Sequence, residues 1–138
     1  MCLQACPALG FDPPEPVTIT GAGDAIAWAR TIPAFGYYPE VYVLFLNPDE
    51  ALRRAAWLGS ATTLDDFITW PDFSLGYQPA GGASAVMLLI CRPGQGVEPS
   101  ASDREVFELL RLAHDAAGVP LADVILVDGR RWCSLAAR

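Results

Sequence analysis

The sequence predicts an α/β (α+β) fold, a single domain with a mixed central β-sheet flanked by helices. Three observations predict it. Strand-like runs rich in β-branched and aromatic residues are interspersed with helical segments along the chain. The run "SAVMLLIC" is apolar almost without a break, as expected of a strand buried on both faces. Apolar residues make up 52% of the 138 residues and charged residues 18%, which suits one folded domain with one core. No internal repeat or second domain is visible.

The elements follow in order. Residues 1–16 are rich in proline and predict an irregular arm, and the domain proper is assigned to residues 17–138. "TGAGDAIAWARTI" predicts a helix capped by Thr20 or Asp24, with Ile26, Ala29 and Ile32 on one face. Its glycines at 21 and 23 lack the third glycine and the strand-turn-helix setting of a dinucleotide loop. Residues 41–46 predict a central strand, "NPDE" a turn, and residues 54–58 the returning hairpin partner. "TTLDDFITW" predicts a short helix stopped by Pro71, and "PDFSLGYQPAGG" an irregular connection. The clearest helix spans residues 102–117. Ser102 and Glu105 have capping-box spacing, Val106, Leu109, Leu110, Ala113 and Ala117 form the expected core stripe, and Gly118 with Pro120 ends it. Asp128-Gly129 is a strong hairpin signal.

Charge and cysteine usage narrow the function classes. Net charge is −7, with nine basic residues against sixteen acidic. That is a poor platform for neutralising phosphates, so no nucleic-acid partner is expected. Arg53-Arg54 and Arg130-Arg131 read as solvated surface, with nothing aromatic and basic interleaved around them. Apolar runs reach only about seven residues, too short for a bilayer, and the N-terminus does not resemble a secretory leader. Cys2, Cys6, Cys91 and Cys133 form no CxxC pair. Cys91 and Cys133 fall in apolar runs as small buried hydrophobes, and the expected location is cytoplasmic, with free thiols.

Two stretches carry a resemblance. "ICRPGQGVEPSASD", a helix, and then "AGVPLADVILVDGRRWCSL" resemble a RadC-like JAB domain, of the JAMM/MPN metalloprotease superfamily. The likeness runs over residues 40–135 and keeps the family's spacing, eight positions from Arg92 to Ser100 and three from Ser100 to Asp103. It implies a JAB/MPN-like sheet. In that family two histidines and an aspartate hold zinc, a glutamate serves as general base for the zinc-bound water, and a serine supports the oxyanion. By this resemblance the glutamate is Glu40, the serine Ser100 and the aspartate Asp103. The histidine positions hold Ile90 and Arg92, and a later family histidine falls on Val124.

Isoleucine has no donor atom, and arginine is always cationic and has no lone pair to give. Cys91 is adjacent, but successive strand side chains point to opposite faces. The only histidine, His114, reads as a surface helix residue about 16 Å along the axis from Asp103. No cofactor or metal is therefore expected, and Glu40, Ser100 and Asp103 read as vestigial. Arg92 would reach Asp103, Glu40 or both as a tethered cation, or else point to solvent. Ser100 is equally a helix cap, Asp103 a partner of the helix dipole, and Glu40 a strand-edge charge.

Two functions follow from the resemblance. One is a non-catalytic JAB-like module that binds a protein partner or forms a homo-oligomer, as inactive members of the superfamily do beside active ones. The alternative is a peptidase- or isopeptidase-like hydrolase with a remodelled site holding metal through Asp103, Glu40 and Cys91. With some 39 residues before Glu40, the helical DNA-binding region usual in the family is not expected here. Trp70, Phe73 and Tyr77 are the candidate contact surface, unless they cover the domain's own core.

Overall fold

The described strands pair into one mixed sheet of six strands, in line with the mixed central sheet that the sequence predicts. The computed structural model describes residues 9–11, 16–59 and 84–136. In chain order the elements are β1 (Leu9–Phe11), α1 (Ala22–Ala29), β2 (Glu40–Leu46), β3 (Leu52–Gly59), β4 (Ala85–Cys91), α2 (Ala101–Ala117), β5 (Leu121–Asp128) and β6 (Arg131–Ser134). The strands lie in the order β1-β3-β2-β4-β5-β6. Only β4 and β5, joined through α2, run parallel. Leu9–Phe11, within the stretch read as an irregular arm, pair with β3. The helix expected at "TTLDDFITW", and Trp70, Phe73 and Tyr77, lie outside the described residues.

Alternation along the central strands builds two cores. Val41, Val43 and Phe45 of β2, with Val86, Leu88 and Ile90 of β4, face α2 and meet Val106, Phe107 and Leu110. Tyr42, Leu44, Leu89 and Cys91 face the other way, where Ala25, Ile26 and Ala29 of α1 pack. Each fully buried aliphatic side chain contributes roughly 1.5–3 kcal/mol of transfer free energy, so β4 is favoured from both sides. The "NPDE" turn forms as expected, with Glu50 N donating to the Asn47 carbonyl at 2.9 Å. The hairpin at Asp128-Gly129 also forms, pairing Asp128 with Arg131. Past β6, the buried carboxylate of Asp123 accepts from Val124 N, Ala136 N and Ser134 Oγ, which ties the end of the chain to β5.

Several local expectations are corrected. The N-cap of α1 is Gly21, which has no side chain to offer. Asp24 instead accepts from Thr20 N at 3.0 Å and Thr20 Oγ1 at 2.7 Å. The capping box of α2 is Ser100 with Asp103, two residues earlier than Ser102 with Glu105. The buried stripe of α2 is Asp103, Val106, Phe107, Leu110 and His114, leaving Leu109 51% exposed and Ala113 exposed. Cys133 is half-buried rather than fully buried.

His114 is buried, not on the surface, at 1% exposure. Its Nδ1–H donates to the Leu110 carbonyl at 2.9 Å, since a carbonyl can only accept. Burial lowers its pKa from the ordinary imidazole value, outweighing the Leu110 bond and the Asp115 charge that raise it. The unfolded chain then holds more protons than the folded one near and below about pH 6.5, so stability is complete above that pH and falls as the pH drops through it. Urea midpoints measured from pH 7.5 to about 5 should show this slope, flattened in His114→Gln. An unchanged slope in the variant would assign the effect to other groups.

Candidate functional site

The end of β4 and the start of α2 meet on the α2 face of the sheet. Ile90 points to that face, Cys91 to the opposite one, and Arg92 back again, with Arg92 N donating to the Val127 carbonyl at 2.8 Å. Arg92 Nη1 lies 3.2 Å from Asp103 Oδ1 and 3.3 Å from Oδ2. Both side chains are buried. Asp103 is also the third residue of α2. Its Oδ2 accepts from Ser100 N at 2.9 Å, and its own N–H donates to Ser100 Oγ at 3.0 Å. One carboxylate thus closes the helix cap and neutralises a guanidinium. Arg92 Nε is buried with no hydrogen-bond partner among the described residues, at a cost of about 1–3 kcal/mol.

Glu40 is not part of this network. It pairs in register with Cys91, so its side chain leaves the sheet on the α1 face. There Tyr42 Oη donates to Glu40 Oε1 at 2.9 Å. Burial, with that hydrogen bond and the Glu40 charge, raises the Tyr42 pKa. Burial also pushes the Cys91 thiol up to about 12, although the Gly36 N–H at the sulfur works in the other direction. Of the residues singled out from the sequence, Arg92, Ser100 and Asp103 come together, and Glu40 and Cys91 form a second group across the sheet. Val124 lies in the core against α2. Among the described residues Arg92 has no ion pair with Glu40.

The loop leaving β4 is held by a residue that sequence reasoning treated only as a turn former. Asp128 Oδ1 accepts from Gly94 N at 3.0 Å, and Oδ2 from Gly96 N at 2.7 Å. These two bonds lower the Asp128 pKa. The signal was available in part, because Asp before Gly marks a turn, but a turn residue gives no hint of its partner more than thirty positions away.

A family model for the RadC-like JAB domain matches residues 37–138. The chain belongs to that family. No curated protein matches it. The RadC-like JAB domain implies a zinc centre, and the residues present do not fit one. Ile90 supplies no donor atom. Arg92, at the second position that the resemblance gives to histidine, supplies a cation and is ion-paired with Asp103. Cys91 faces away as a buried thiol, whereas zinc takes thiolate, neutral imidazole or carboxylate at about 2.0–2.3 Å. Among the described residues no group of three or more His, Cys, Asp or Glu side chains is placed to hold a metal ion.

Proposed function

We propose that this RadC-like JAB domain is a non-catalytic binding or assembly module. The observation that carries this reading is the buried Arg92–Asp103 pair, which puts a permanent cation where the family places its zinc ligands. A guanidinium can neutralise Asp103, but it offers no empty orbital to polarise water. Unactivated water keeps a pKa of about 15.7, far from the neutral range to which zinc brings it. Glu40, on the opposite face and hydrogen-bonded by Tyr42, has no activated nucleophile within reach.

In this reading Glu40, Ser100 and Asp103 are vestigial as catalytic groups and persist as a strand-end charge, a cap and an ion-pair partner. The partner is a protein or a second copy of the chain, not nucleic acid or a membrane. The setting is the reducing cytoplasm, consistent with the free thiols of Cys91 and Cys133. The test is hydrolysis of peptide and isopeptide-linked substrates by the full chain supplied with equimolar zinc. The expected result is no turnover above background, and none that depends on Glu40. Turnover abolished by Glu40→Gln would establish the remodelled hydrolase instead.

A further inference from the structure

The loop between α1 and β2 meets the β5–β6 turn at the end of the sheet. Gly129 N donates to the Gly36 carbonyl at 2.8 Å, and Arg30 Nη2 donates to the Arg130 carbonyl at 2.8 Å. Between the two segments is a cleft of about 200 Å³, lined by Arg30, Arg130 and Tyr37 and by the apolar side chains of Ile32, Ala34 and Phe35. Ala34 is held in the left-handed region at φ 60°, a strained conformation for a residue with a side chain and one that collects at functional sites. Among the described residues neither Arg30 nor Arg130 is in an ion pair.

Tyr37 lines the cleft, Tyr38 follows it in the chain, and Trp132 lies on the adjoining strand β6. Tyr37 is 56% exposed, Tyr38 59% and Trp132 38%. Trp132 pairs in register with Val127, and the Cβ position of Gly36 lies 3.2 Å from Val127 Cγ1, so the indole stands on the same face as the loop. The arginines at the turn, read from sequence as plain solvated surface, therefore do have aromatic residues interleaved around them. Exposed Tyr, Trp and Arg in one patch are the residue types that dominate binding energy at protein interfaces.

We infer that this patch docks an acidic segment of a partner protein, with a carboxylate seated between Arg30 and Arg130 and an apolar neighbour against Tyr37 and Trp132. Charge decides the class of occupant. A carboxylate can accept from the N–H groups of both guanidiniums, neither of which is in an ion pair among the described residues. A nucleic-acid strand needs a run of basic side chains to follow its row of phosphates, whereas Arg30 and Arg130 make a site for a single carboxylate. The inference rests on the binding-module reading and names its partner's chemistry. It is tested at the opposite face of the sheet from the Arg92–Asp103 pair, so either can fail alone.

The experiment is an NMR titration of the full chain with N-acetyl-Asp-Glu-Phe-Glu-amide. Amide shifts should concentrate in residues 30–38 and 128–132. Binding should weaken about tenfold or more for the Asn-Gln-Phe-Gln peptide, for Arg30→Gln/Arg130→Gln and for Trp132→Ala, each variant melting like the parent. The proposal is overturned if no shifts gather there, if the neutral peptide binds equally, or if the variants bind unchanged. It is also overturned if a short oligothymidylate binds the patch more tightly, or if the patch proves to join two copies of the chain.

Discussion

Arg92→Met is expected to destabilise the protein by about 3 kcal/mol, roughly a hundredfold in the folding equilibrium, because it strands the Asp103 carboxylate in a buried site without its cation. The cap bonds to Ser100 would remain but cannot replace a full charge. The double variant Arg92→Met/Asp103→Asn separates the value of the pair from the cost of breaking it. Asparagine keeps an oxygen for Ser100 N and carries no charge. The double variant should lie within about 1 kcal/mol of the parent, and Arg92 Nε, buried without a partner, would no longer count against the fold. Urea denaturation of the parent and three variants completes the cycle. A loss below about 0.5 kcal/mol for Arg92→Met would mean that the guanidinium is solvated.

Gly36→Ala should be nearly as costly, about 3 kcal/mol, for a different reason. The new Cβ would lie 2.5 Å from the Gly129 carbonyl oxygen, a backbone atom that cannot swing aside, and φ is +92°. Gly94 provides the comparison. It also has positive φ, +83°, but nothing lies within 4 Å of its Cβ position, so Gly94→Ala should cost only about 1 kcal/mol of backbone strain. Thermal melts of both variants check the difference. Equal losses would show that the close approach of the 34–37 loop to the β5–β6 turn contributes nothing beyond φ.

The central strands and the long helix were legible because burial on two faces leaves an unbroken apolar run, and because "NPDE" and Asp128-Gly129 mark reversals by local chemistry, whereas β1 was hidden in a proline-rich stretch. The pairing of Arg92 with Asp103 was legible as one of several options, since strand alternation fixes the face of Arg92 but not the reach of its side chain. The buried stripe of α2 was misread because its two polar members, Asp103 and His114, look like surface residues until the Arg92 guanidinium and the Leu110 carbonyl are known to meet them. Glu40 was expected near Asp103 because the family brings those groups to one ion. The register that pairs it with Cys91 is a property of the sheet, invisible along a single strand. The Arg30–Arg130 cleft joins segments a hundred residues apart and has no local signature.

The family assignment and the absence of a zinc donor set among the described residues pull in opposite directions, and the metal content of the full chain decides between them. Protein purified without chelator and titrated with zinc should show no stoichiometric ion by native mass spectrometry, and no zinc-dependent gain in melting temperature. One tightly held zinc per chain, displaced by Asp103→Asn, would contradict the account at its centre.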